Sequence, residues 1–238
     1  KKLNFSIENK KIIQDISIKV NQGQFIGVIG ANGSGKSTLL KNVYRFLKYD
    51  SGNIKLKNVD LYSYSSKSLA KEMAVLAQKQ NMNFDFSVEE IVEMGRYAYK
   101  HSIFETDENK NSKFIEDALN AVGMYKMKDR SFLSLSGGEM QRVLIARALA
   151  QNTEILILDD SFSALDCATD AALRKAIAKA PFQSTTIIIS QRAASVMQAH
   201  QIIVMEKGKI VGIGTHEELL ETNAIYQEIT ASQFQKEE

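Results

Sequence analysis

Gly30-Ala31-Asn32-Gly33-Ser34-Gly35-Lys36-Ser37-Thr38 decides the reading of this chain. The stretch matches G-x-x-x-x-G-K-[ST], an order dictated by phosphate chemistry. Glycines let backbone N–H groups turn inward and approach phosphate oxygens. A helix starting near Lys36 points its positive end at the same anion. Lys36 supplies a point charge toward the β- and γ-phosphates, and the Ser37 hydroxyl is placed to ligate Mg²⁺. The context fits: apolar Phe25–Ile29 precedes the loop. Leu39, Leu40, Val43 and Phe46–Leu47 then recur on one side of the helix that follows.

The bulk composition narrows the class. The chain has 238 residues, 44% hydrophobic and 24% charged, as in an ordinary globular protein. Its formal net charge of +2 creates no field that would gather nucleic acid. One cysteine, Cys167, rules out an internal disulfide and fits a reducing compartment. No apolar run approaches the ~20 residues of a membrane-spanning helix, so no direct membrane insertion is expected. Any work at a membrane needs a partner to bring the chain there. The sequence begins Lys1-Lys2 without Met, and is expected to be trimmed, tagged or cut from something longer. His101, His200 and His216 sit in no metal-ligand spacing and read as surface groups.

Working outward from the loop, the early region reads as strands over Leu3–Ile7, Ile12–Val20 and Gln24–Ile29, with a further strand at Asn53–Leu56. From Ser87 to Leu135 the period becomes helical, with Val88, Ile91, Val92 and then Phe114, Ile115, Ala118, Leu119, Val122. Beyond it, strands Glu154–Leu158, Thr185–Ile189 and Ile202–Met205 alternate with helices at Ala168–Ala180 and Ala193–Met197. Continuous apolar runs between helices predict parallel strands buried on both faces. Lys207-Gly208 reads as a hairpin turn, and Thr215 with Glu218 as a helix cap.

One further string separates the families that share such a loop. Leu135-Ser136-Gly137-Gly138-Glu139-Met140-Gln141-Arg142 resembles the signature sequence of ABC transporter ATPases. Ser136-x-x-Glu139 is equally a capping box, and the two roles are compatible. Ile155-Leu156-Ile157-Leu158-Asp159 is similar to the family's Walker B strand, Ser163-Ala164-Leu165-Asp166 to its D-loop, and Gln78 to its Q-loop. The resemblance covers nearly the whole chain. It implies an α/β fold: a P-loop NTPase core with a mainly parallel sheet, an N-terminal antiparallel β subdomain and an inserted α-helical subdomain. Residues 1–86 and 136–238 would form the catalytic core, and 87–135 the helical part. It also implies ATP and Mg²⁺ as ligands, with Gly30 to Thr38 holding phosphate and Ser37, Gln78 and Asp159 holding the metal. Ser136, Gly137 and Gly138 would address the γ-phosphate of ATP held by a second ABC subunit. Permease subunits are the other implied partners, with the chain cytoplasmic and peripheral at the inner face of the cell membrane.

Three positions depart from the family's pattern. Asp160 stands where a Glu normally acts as general base, which sets its carboxylate back by about 1.5 Å. Gln191 stands where the switch His is expected; it can hydrogen-bond a γ-phosphate but carries no proton at neutral pH. Ile7 falls at the adenine-stacking aromatic, with Phe5 on the same strand face. With Lys36, Asp160 and Gln191 make up the expected catalytic set, and hydrolysis is expected to be slow. Asp160 and Gln191 resemble the degenerate-site subunit of heterodimeric exporters, whereas the first ~135 residues resemble iron-siderophore and cobalamin importer ATPases. The expectation from that split is an engineered chimera joined between 135 and 165. Two alternatives to a transporter ATPase stay open: a chimeric ATP-binding domain without physiological transport, and a soluble ABC protein of repair or translation.

Overall fold

Strand β3, Phe25–Ile29, pairs in parallel with β8, Thr185–Ile189, on one side and β9, Gln201–Glu206, on the other. The computed structural model describes residues 1–77, 85–99, 108–159 and 184–234. Gln78, Asp160, the Ser163–Asp166 string and the helix expected over Ala168–Ala180 lie outside the described residues. The chain divides into two units, Lys1–Ser65 with Thr185–Glu238, and Ser66–Ser184.

In the first unit, Ile26, Val28 and Ile29 of β3 and Ile202 to Met205 of β9 are all buried, as expected of parallel strands covered on both faces. β9 turns through Lys207 and Gly208 into the antiparallel β10, Lys209–Gly214. β1, Leu3–Ile7, pairs antiparallel with β2, Lys10–Ile16. β2 stops four residues short of the expected Val20. Its partner runs out, because Ile16 already faces Leu3, the first residue of β1. The strand expected over Asn53–Leu56 shrinks to β4, Lys55–Leu56, paired with β5, Val59–Asp60. The Asn53 N–H instead donates to Lys1 O at 3.2 Å, and Ile54 O accepts from Leu61 N–H at 3.0 Å.

Helix α1, Lys36–Val43, is also shorter than its apolar pattern suggests. Arg45 takes a left-handed φ of 63°, and Phe46 is 71% exposed rather than part of the helix face. The helix expected at Ala193–Met197 is a single 3₁₀ turn, Ala193–Ser195. Its Ala193, with Val196, packs with Ile29, Ile202 and Val204 against Leu219 and Tyr226. The last two belong to helices His216–Thr222 and Ala224–Phe234, the first capped by Thr215 and Glu218 as expected. Gly27 makes this packing feasible, since a Cβ there would lie 2.5 Å from Val196 Cβ.

The described residues of the second unit are mostly helical. Helix α2, Ser66–Glu72, leads into strand β6, Met73–Leu76, and no periodic pattern announced that helix. Helices α3, Val88–Glu93, α4, Glu108–Ala121, and α5, Gly137–Ala150, follow. Val88, Ile91, Val92, Ala118 and Leu119 are fully buried, as the helical spacing predicts, and so are Val143 and Ile145 of α5. β6 pairs in parallel with β7, Ile155–Asp159, whose four apolar residues end in a buried carboxylate.

Candidate functional site

The loop between β3 and α1 begins and ends on glycines held at positive φ. Gly30 has φ 153°, and a Cβ there would sit 2.2 Å from Met205 O; no larger residue fits between β3 and β9. Gly35 has φ 101° and ends the loop without a side-chain cap on α1. Lys36 is only 6% exposed. Its Nζ donates to Gly30 O at 2.8 Å and to Ala31 O at 2.9 Å, so the side chain folds back across the loop and holds its charge there. Ala31, Asn32 and Gly33 face outward, and Ser37 and Thr38 are half-buried in the first turn of α1. Ser34 Oγ is buried without a hydrogen-bond partner, a cost that an acceptor oxygen at the loop would remove. The orphaned Ser34 hydroxyl and the Lys36 charge held at the loop together fit a phosphate group.

The loop is braced from outside. Gly208 N–H donates to Ser34 O at 3.0 Å, and Gly208 O accepts from Gln14 N–H at 2.8 Å. Gln14 Nε2 adds a bond to Lys207 O at 3.0 Å. Only the hairpin turn itself was legible near Gly208; no local signal tied it to a loop more than a hundred residues earlier.

Sheet register places Gln191 beside this loop. Val28 of β3 pairs with Ile189 of β8. Gly30 and Gln191 each follow by two residues, so both leave the carboxyl ends of adjacent parallel strands, the edge where open α/β sheets hold ligands. Ser190 N–H donates to Val28 O at 3.2 Å, fixing that level. Gln191 is exposed.

In the second unit, Asp159 is buried at the carboxyl end of β7. Ser136 caps α5 with both halves of a capping box. Glu139 Oε2 accepts from Ser136 N–H and from Ser136 Oγ–H, each at 2.8 Å. These two bonds hold the Glu139 carboxyl below its ordinary range. Gly137 and Gly138 form the first turn of α5, and a Cβ at Gly137 would meet nothing within 4 Å. The helix start is therefore open to an approaching group.

Two expectations need correction. Phe5 is buried in register with Ile13, so it offers no face for adenine stacking; Ile7, 48% exposed, is the outward residue. His200 is exposed as expected, whereas His216 is half-buried. His200 Nδ1 accepts from Phe25 N–H at 2.9 Å, and His216 Nδ1 lies 2.8 Å from the Tyr226 hydroxyl. Among the described residues no group of three or more His, Cys, Asp or Glu could hold a metal, and no described helix is long and apolar enough to cross a membrane.

A strand, a glycine loop and a helix that folds its lysine back over the loop define the P-loop class of nucleotide-binding proteins. The ABC transporter family pattern matches residues 13–163, from β2 past the signature string and β7. The chain belongs to that family and is an ABC ATPase, for which ATP hydrolysis is the expected activity. The mitochondrial ABC transporter B family member 24 of Arabidopsis thaliana is 34% identical over 242 residues, which cover 97% of this chain and 34% of that protein. The ATP-dependent lipid A-core flippase of Shewanella sp. (strain MR-4) is 33% identical over 241 residues, 98% of this chain and 39% of that one. A bacterial Atm1-family ABC exporter, solved with ATP bound, superposes with a TM-score of 0.86 at 25% identity, over 98% of this chain and 41% of its own. The chain thus spans 34–41% of the length of these relatives. Each likeness extends across both sides of residues 135–165. The expected chimera junction, and the importer-like first half, gain no support.

Proposed function

We propose that this chain is the MgATP-binding ATPase part of an exporter-type ABC transporter, closing head-to-tail on a second ABC subunit and turning over slowly. The observation that carries the reading is the register of β3 and β8, which sets the phosphate loop and Gln191 at one sheet edge. Gly30, Ala31, Asn32, Gly33, Ser34, Gly35, Lys36, Ser37 and Thr38 cradle the phosphates, with backbone N–H groups and the Lys36 ammonium as donors. Bound Mg²⁺ supplies charge neutralisation on the phosphates; Ser37, Gln78 and Asp159 are the residues to hold it. Ser136, Gly137 and Gly138 present the α5 start to ATP on the partner subunit, and 87–135 serves as the helical subdomain. Permease segments bring the chain to the cytoplasmic face of the membrane. Ile7, an aliphatic at the adenine position, contributes less stacking than an aromatic ring.

Slow turnover follows from Asp160 and Gln191. An Asp side chain is one methylene shorter than the Glu of the family's general base, and a carboxamide can hydrogen-bond a γ-phosphate but exchanges no proton. The test is phosphate release by Asp160→Glu combined with Gln191→His, measured with MgATP affinity. The double variant is expected to turn over about tenfold faster or more at equal affinity, the scale of one correctly placed acid–base group. An unchanged rate at equal affinity would sink the slow-site reading.

A further inference from the structure

The carboxamide of Gln233, on the helix Ala224–Phe234, bridges two backbone groups of the segment that carries Gln191. Gln233 Nε2 donates to Gln191 O at 2.6 Å, and Gln233 Oε1 accepts from Ala193 N–H at 2.6 Å. One side chain thus spans a carbonyl and an N–H two residues apart. That demand fixes the amide orientation, since the flipped form would face donor to donor and acceptor to acceptor. Nearby, Ser190 N–H reaches Val28 O on β3, and Arg192 N–H donates to Ser190 Oγ at 2.9 Å. The Gln191 carbonyl and Ala193 N–H are thus held from the far end of the chain. Below them, Ala193 and Val196 pack with Tyr226, and Ile225 and Ile229 lie against the same cluster as Ile29, the residue before Gly30.

We propose that Gln233 is a positioning residue for γ-phosphate readout. It sets the backbone at Gln191, and so the level at which the Gln191 carboxamide is presented beside the phosphate loop. The C-terminal helix would then report on, and be felt by, the nucleotide's third phosphate. This inference rests on the switch role assigned to Gln191 under the proposed function. A purely structural Gln233 would support folding without favouring ATP over ADP. A positioning Gln233 must act through Gln191 alone.

The experiment compares Gln233→Glu, Gln233→Ala, Gln191→Ala and the Gln191→Ala/Gln233→Glu double variant in the intact protein. The readouts are kcat, MgATP and MgADP affinities, and melting midpoint. Glu is the same size as Gln and still accepts from Ala193, but it turns a second oxygen toward the Gln191 carbonyl. Gln233→Glu is expected to lower kcat and to narrow the preference for MgATP over MgADP, each about fivefold, the scale of one neutral hydrogen bond. MgADP affinity should stay at the parent value. In the Gln191→Ala background the change at 233 should add nothing. If Gln191→Ala is impaired while Gln233→Glu matches the parent, or if the two losses add fully, the positioning role is overturned and the switch reading stands. If Gln191→Ala leaves both readouts unchanged, the switch reading itself falls and takes this inference with it. Should Gln233→Ala fail to fold, Gln233→Glu decides.

Discussion

Gly208 donates its backbone N–H to the carbonyl of Ser34, so that the turn between β9 and β10 holds the phosphate loop from outside. The contact closes because Gly208 sits at φ 80° with its Cα against Ile12; a Cβ there would lie 2.2 Å from Ile12 O. Gly208→Ala is therefore expected to cost about 1–3 kcal/mol of stability through left-handed strain and backbone collision. It should also weaken MgATP binding, because the Ser34 carbonyl loses its support. Thermal melting and nucleotide titration check both halves; unchanged affinity would show that the loop holds its shape unaided.

Arg96 should matter to the second unit out of proportion to its charge. Its Nη1 donates to Ala150 O at 3.0 Å and Gln151 O at 3.1 Å, closing the end of α5, while Nε reaches Asn111 Oδ1 at 3.0 Å. The guanidinium lies 4.0 Å from the Tyr99 ring centroid and 4.4 Å from that of Phe114. Burial lowers its pKa, offset in part by Tyr99. Arg96→Ala is expected to cost about 3 kcal/mol by orphaning the buried Ala150 carbonyl and the half-buried Gln151 carbonyl. Arg96→Lys should recover less than half of that, because an ammonium cannot supply the fork and the flat stacking face together. Denaturant unfolding of both variants measures the ratio; full recovery by Lys would mean that charge alone suffices.

Tyr226 gives a pH dependence with a definite sign. Its hydroxyl meets His216 Nδ1 in the core, and burial, with a smaller contribution from Glu217, pushes its pKa up to about 12 from 10.0. Between these values the unfolded chain has released the phenolic proton and the folded chain has kept it. The unfolded state then binds fewer protons, so stability falls as pH rises from about 10 to about 12. Below pH 10 the contribution is fully present. Denaturant midpoints should drop more steeply over that window in the parent than in Tyr226→Phe; parallel curves would place the ionisation elsewhere.

Much of the site was legible because its chemistry is local. The Gly30 to Thr38 loop, the Ser136–Glu139 box and the Thr215–Glu218 box each act over a few residues, and all three fold as their spacing demands. The buried runs of β3, β7 and β9 were readable for a related reason: a strand covered on both faces has no polar positions to interrupt it. Element ends were less legible. β2 ends where β1 has no residue left to pair, and α1 ends where Arg45 turns left-handed with its guanidinium on Leu61 O and Tyr64 O. Those partners lie many residues away, so no window of sequence contains them.

By itself, then, the sequence determined which residues form the glycine loop, and which family's ATPase this is. Backbone freedom at glycine, helix caps and apolar period are short-range properties, and they are written in consecutive residues. Only the tertiary structure decided what keeps those residues in place: Gly208 under Ser34, Val196 against Gly27, and Gln233 across Gln191 and Ala193. Each of these joins segments tens to hundreds of residues apart, and hydrogen-bond and contact distances exist only once the sheet has brought them to one edge.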